Sequence, residues 1–141
     1  MKKMNYYKYI FPITLLMSFN ALSFESCLGG NRTMPEINGC LSDKSTSKNE
    51  LLDIYFKESL NKFKNNEKTL EILRAAQQSW IDYSRKHCSV VRSKYEGGSI
   101  APTIYTGCLN RLIEIRTHEI WSYYLTGGCD TSTLPEPKLD G

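Results

Sequence analysis

Five cysteines and two histidines are the residues of this 141-residue chain best suited to chemistry. They are Cys27, Cys40, Cys88, Cys108 and Cys129, with His87 and His118. A cysteine beside a histidine suggests a nucleophile and its base, and His87 adjoins Cys88. Neighbours on a helix point about 100° apart, however, so adjacency argues against a hydrogen bond between them. His118-Glu119 opens like a zinc-binding helix motif, but Trp121 and Ser122 follow and no second histidine comes at the required spacing. No C-x-x-C occurs, so neither a metal nor another cofactor is expected. Glu114 and Glu119 are five residues apart and do not share a helix face. Gly97-Gly98-Ser99 has the glycines of a phosphate-cradling loop without its lysine. Each feature reads better as structural or solvated, and no catalytic residue is expected.

What the cysteines do depends on the compartment. Lys2, Lys3 and Lys8 flank a short apolar run, "YIFPITLLMSFNAL", and Ala21 and Ser23 are small residues before a cut after Ser23. That layout is a secretory signal peptide over residues 1–23. Pro12, Thr14, Ser18 and Asn20 interrupt the run, which is short for a membrane span. An uncleaved anchor is the competing reading, but no stable membrane anchor is expected once the leader is removed. A lipid-attached Cys27 fits poorly, because Phe24 and Glu25 stand where small residues are needed. The destination is therefore the periplasm or the exterior, where cysteines pair. The whole chain has 18 basic and 15 acidic residues, a net charge of +3. The leader holds three of the lysines and no acid, so the remainder balances at fifteen of each. Nothing then argues for a nucleic acid or an anionic membrane as partner.

The elements that must position these residues read as helices. Residues 24–46 are rich in Gly, Asn, Ser and Pro and suggest a loop, with one helical turn near Glu36–Leu41. Asn31-Arg32-Thr33 matches a glycosylation acceptor, taken as chance in a chain with a bacterial-looking leader. Ser47, with Glu50 three residues on, predicts the cap of a first helix ending at Asn65-Asn66. Leu52, Phe56, Leu60 and Phe63 give its apolar period. A second helix starts near Glu67–Thr69. Its stripe runs through Leu70, Leu73, Gln77, Trp80, Ser84, Cys88, Val91 and Tyr95 and stops at Gly97-Gly98. Cys88 thus faces inward although Arg85, Lys86 and His87 precede it.

A third helix spans Thr103 to Leu125 behind Pro102. Tyr105, Cys108, Leu109, Leu112, Ile113, Ile115, Arg116, Ile120 and Tyr123 form its broad face. Arg116 there needs a counter-ion or a route to the rim, since a buried lone charge is costly. Residues 127–141 suggest a solvated, flexible tail. No strand-period segment and no repeat occurs, so the expected fold is all-α, a small disulfide-stapled three-helix bundle over 24–126 with a loop-rich N-terminus.

Five cysteines forming two bridges allow fifteen arrangements. Helices two and three form a hairpin about a short turn, with Cys88 and Cys108 on inward stripes roughly equidistant from it. That makes Cys88–Cys108 the natural bridge. Cys27 and Cys40 are left as the second pair. Cys129 stays open: free, joined to a second chain, or displacing one of that pair.

The segments "ELLDIY", "LRAAQQSWIDYSRKHC", "YEGGSIAP" and "CLNRLIEIRTHEI", behind an early cysteine pair, resemble the LprI-type lysozyme-inhibitor domain and the YecT-like small secreted bacterial proteins. The resemblance covers Cys27 to Leu125. Its most specific parts are Gln77, Trp80 and Cys88, then Gly97-Gly98-Ser99, Cys108 and Arg116. Lys48, Leu52, Ser84 and Arg85 depart from the family pattern, which leaves Arg116 seeking a partner among Glu36, Asp43 and Asp82. The resemblance implies a non-catalytic protein that binds a lysozyme and occludes its cleft. Glu96, Gly97, Gly98 and Ser99 are the candidate contact loop, with a plain helix connector as the alternative. Lysozyme is strongly basic and an inhibitor gains from negative surface. The balanced charge here leaves only local clusters such as Glu50, Asp53 and Glu58 to supply it. The other reading is an envelope structural or stress protein with no lysozyme target.

Overall fold

The computed structural model describes residues 27–126 and 132–139. The leader, its cleavage point and Cys129 lie outside the described residues. Three long helices occur: α1 (Met34–Lys62), α2 (Glu67–Ser93) and α3 (Ala101–Glu119), the last continuing as a π-helical turn over Ile120–Leu125. Among the described residues there is no strand, and the all-α, disulfide-stapled expectation holds.

α1 begins thirteen residues earlier than the sequence reading places it. Its cap is Thr33, not Ser47: the Glu36 carboxylate accepts from both the Thr33 amide and its hydroxyl, each at 2.7 Å. Those two hydrogen bonds hold the Glu36 carboxyl below its ordinary value, the amide contributing most. Proline in the first turn fits as well. Ser45, Thr46 and Ser47, which read as loop formers, turn their hydroxyls onto the carbonyls of Leu41, Ser42 and Asp43 and stay helical. The Cys27–Cys40 bridge, with Cα atoms 5.7 Å apart, ties the incoming loop to the second turn of α1. At the other end the helix stops at Lys62, and Asn66 caps α2 instead by accepting from the Thr69 amide.

α3 is the shared element: α1 and α2 both pack on it. α1 runs parallel to α3, since Asn38 meets Thr103, Ser45 meets Asn110 and Lys48 meets Glu114 in rising order. That seam is largely polar. Thr103 Oγ1 donates to Asn38 Oδ1 at 2.7 Å, and Asn110 Nδ2 donates to the Leu41 carbonyl at 3.1 Å. Ser45 Oγ lies against Asn110 Oδ1, and Lys48 pairs with Glu114. Apolar packing takes over further along, where Leu52, Tyr55, Ile113, Ile120 and Leu125 form the core, flanked by Phe56, Trp80, Trp121, Tyr124 and Leu134.

α2 runs antiparallel to α3 and is bolted to it. Cys88 and Cys108 form the expected bridge, with Cα atoms 5.6 Å apart and Cys88 fully buried. One helix length away, Arg116 is only 8% exposed. Its Nε donates to Gln77 Oε1 of α2 at 3.1 Å, and its Nη1 meets Glu119 Oε2 at 3.3 Å. Its guanidinium carbon lies 5.8 Å from the centre of the Tyr124 ring. The expected partners Glu36, Asp43 and Asp82 are therefore corrected to Gln77 and Glu119. Glu119 sits one turn on along the same helix, whereas Glu36 is committed to the α1 cap.

The apolar face of α3 is narrower than its sequence suggests. Ile115 is partly exposed and Tyr123 is 76% exposed. At the end of the helix the Thr126 amide reaches back five residues to the Trp121 carbonyl. That wider turn shifts the phase, so Leu125 rather than Tyr123 enters the core. The presumed solvated tail is also corrected over 132–139. Tyr55 Oη donates to the Pro135 carbonyl at 2.6 Å and Trp121 Nε1 to the Leu134 carbonyl at 3.1 Å. His118 faces Glu136 at 3.1 Å, and Pro137 is buried. Two indole and phenol donors that α-helices cannot satisfy internally thus recruit the C-terminal strap.

Three outcomes follow. Replacing Cys88 and Cys108 together by Ala lowers the unfolding free energy in denaturant titration by about 3 kcal/mol, the entropy of a loop of about twenty residues. Gln77→Leu leaves the Arg116 Nε–H without an acceptor and costs about 2 kcal/mol, whereas Gln77→Glu recovers most of that loss in the same titration. Burial raises the pKa of Tyr55, so its share of stability is intact below the ordinary tyrosine pKa of about 10 and is lost as pH climbs through the raised value. Tyr55→Phe removes that extra alkaline loss, measurable as a shallower fall in unfolding free energy above pH of about 10.

Candidate functional site

The segment between α2 and α3, residues 94–100, is the most exposed connector that the two bolted helices carry. α2 ends at Ser93, four residues before the glycine at which its stop is expected, and successive turns carry the chain across. The Tyr95 amide donates to the Arg92 carbonyl at 2.9 Å and the Gly98 amide to the Tyr95 carbonyl at 3.1 Å. The Ala101 amide then donates to the Gly98 carbonyl at 3.2 Å, and α3 begins. Gly97 has φ of +85°, a conformation that side chains disfavour. A Cβ at Gly98 would stand 3.3 Å from the Tyr95 carbonyl oxygen, closer than comfortable contact. The double glycine is thus required by the turn itself.

Below the turn the scaffold is stiff. Cys88 lies five residues before the end of α2 and Cys108 seven after the start of α3, so the bridge clamps both stems. Ala101 and Thr103 are buried at the base, with proline between them. Glu96, Gly97, Gly98 and Ser99 all face solvent above it. They border a cleft of about 430 Å³ shared with Ser89, Arg92 and Ser93. Among the described residues, neither the Glu96 carboxylate nor the Ser99 hydroxyl is taken by another side chain. The edge therefore offers one carboxylate, one hydroxyl and glycine backbone to a partner, backed by a basic stem of Arg92 and Lys94.

Gln77, Trp80 and Arg116 lie at the far end of the α2–α3 pair, away from this turn. Gln77 and Arg116 are brought together by hydrogen bonding and Trp80 packs against the core, so all three act on the frame. His87 stacks near Tyr83 with ring centres 5.5 Å apart, and Cys88 beside it is oxidised, so the two make no nucleophile pair. Among the described residues, no group of three or more His, Cys, Asp or Glu side chains could hold a metal ion. Glu50 and Asp53 are exposed on α1, while Glu58 accepts from Thr133 of the strap at 3.0 Å.

Hydrophobic periodicity passed over the polar seam of α1 and α3. Its signal is a seven-residue recurrence of small polar residues: Asn38, Ser45 and Ser59 on α1, and Thr103, Asn110 and Thr117 on α3. Ser59 and Thr117 are buried and satisfied by the Phe56 and Ile113 carbonyls of their own helices.

Comparison with known proteins gives two findings and one blank. An uncharacterized protein, R02472, of Rhizobium meliloti (strain 1021) is 39% identical over 51 residues. The aligned stretch is 36% of this chain and spans only 37% of that relative. No solved structure matches the chain. The family described as "Lysozyme inhibitor LprI" matches over residues 27–120, from the first disulfide cysteine to the start of the π-helical turn. That stretch takes in both bridges, the Gln77–Arg116 contact and the exposed turn, and the chain belongs to the LprI lysozyme-inhibitor family.

Proposed function

We propose that this is a secreted or periplasmic inhibitor that binds a lysozyme-type cell-wall hydrolase and blocks its cleft with the turn at Glu96–Ser99. The family match over residues 27–120 carries the reading. Two disulfides and the leader-like first 23 residues favour an oxidising compartment outside the cytoplasm. Among the described residues, no helix is long and apolar enough to cross a membrane.

The geometry suits occlusion. A lysozyme cleft holds two catalytic carboxyl groups, one of them protonated as the general acid. The Ser99 hydroxyl donates to such groups, and the glycine backbone, lacking side chains, passes where substrate would lie. Glu96 supplies a carboxylate toward a basic rim. Clamping the stems removes conformational freedom before binding, so less entropy is lost on association. A seven-residue turn is smaller than the roughly 800 Å² that a stable complex covers on each side, so the adjoining ends of α2 and α3 share the interface.

The test is titration of the oxidised protein into a lysozyme cell-wall lysis assay. Inhibition is expected at micromolar protein, and replacing Glu96 and Ser99 together by Ala raises the concentration needed by at least about tenfold with thermal stability unchanged. No inhibition at micromolar protein would favour the alternative of an envelope structural protein without a lysozyme target. Inhibition indifferent to the double substitution would move the contact surface elsewhere.

A further inference from the structure

A second opening lies on the flank of the same end of the molecule, separate from the cleft at the turn. It is a groove of about 540 Å³, within the range typical of small-ligand sites. α3 forms its floor through Thr103, Ile104, Gly107, Cys108, Arg111 and Leu112. Leu41 of α1 stands on one side, and Val91 and His87 of α2 on the other. Leu28 and Ile100, both markedly exposed, close its ends. The aliphatic lining therefore comes from four separate stretches of chain, and the Cys88–Cys108 bridge fixes two of them. Gly107 deepens the floor: a Cβ built there meets nothing within 4 Å.

The charge around this groove has one sign. Arg111 and His87 line it, and no acidic residue does. Arg111 makes no ion pair among the described residues. An aliphatic trough with a guanidinium and an imidazole on its rim is complementary to one kind of molecule, an alkyl chain ending in an anionic head. We propose that this groove binds a single-chain acidic amphiphile of the fatty-acid class. The chain lies along α3 over Gly107 between Leu41 and Val91, and the carboxylate meets Arg111 with His87 beside it. Removing the aliphatic chain from water drives binding, and the guanidinium selects the head. The site does not depend on the lysozyme reading, because it shares no required group with Glu96 or Ser99.

The fluorescent probe 11-(dansylamino)undecanoic acid, titrated into the oxidised full chain, measures it. Saturable binding is expected below about 100 µM, displaced by dodecanoate and poorly by dodecyltrimethylammonium. Gly107→Leu fills the trough in open space and replaces a helix-weakening residue, so it folds and weakens the probe at least about tenfold. Ile100→Glu, on an exposed residue, places an anion at the groove and weakens it similarly. Arg111→Gln weakens the carboxylate about fivefold while leaving displacement by dodecyl maltoside unchanged. The proposal is overturned by the absence of saturable binding, by equal binding in Gly107→Leu and Ile100→Glu, or by a cationic amphiphile competing as well as dodecanoate.

Discussion

Both outer helices bury their inner stripes against α3, and every other feature of the molecule depends on that shared rod. The two contacts are made by different means. Toward α2 the joint is covalent at Cys88–Cys108 and charged at Arg116, a pairing that leaves little room for sliding. Toward α1 it is a ladder of amides, hydroxyls and one ion pair, followed by an apolar core. Hydrogen bonds of the second kind contribute modest net free energy, but a register error would leave several buried polar groups without partners. The ladder therefore fixes alignment, while the core around Leu52 and Ile120 supplies most of the stabilisation.

Much of this was legible in residue spacing, and the failures have physical causes. The α2 stripe and the Cys88–Cys108 pairing could be read because both obey the 3.6-residue period and because the glycine turn sets the hairpin. The start of α1 could not, since its serines and threonines satisfy themselves on carbonyls four residues back while α3 and the Cys27 bridge hold them helical. The phase of α3 was misread beyond Glu119 because a single wide turn displaces everything after it. The strap at 132–139 escaped because its anchors, Tyr55 and Trp121, are distant in sequence and ask only for a carbonyl, which any residue supplies.

The candidate site divides the same way. The turn at Glu96–Ser99 stands out in the sequence through its double glycine, and its stiffness follows from the clamped stems. What it meets rests on kinship, since glycine backbone and one hydroxyl could serve many partners. The apolar trough beside it gives no sequence signal at all. Leu28, Leu41, Val91 and Ile104 look like ordinary members of separate segments until the fold brings them to one place.

The parallel arrangement of α1 and α3 also sets an order of assembly. Asn38 must wait for Thr103, a partner 65 residues downstream, and Tyr55 for Pro135, 80 residues away. Sulfurs only 13 and 20 residues apart can meet much sooner. A chain emerging N-terminus first therefore closes its small loop and its hairpin early, while α1 stays a solitary rod with its inner side bare. Pulse-labelled hydrogen exchange would record this as late protection along α1. During that interval the polar character of its first four turns is an asset, because a rod that must wait uncovered is safer from clumping when half its seam is hydrophilic.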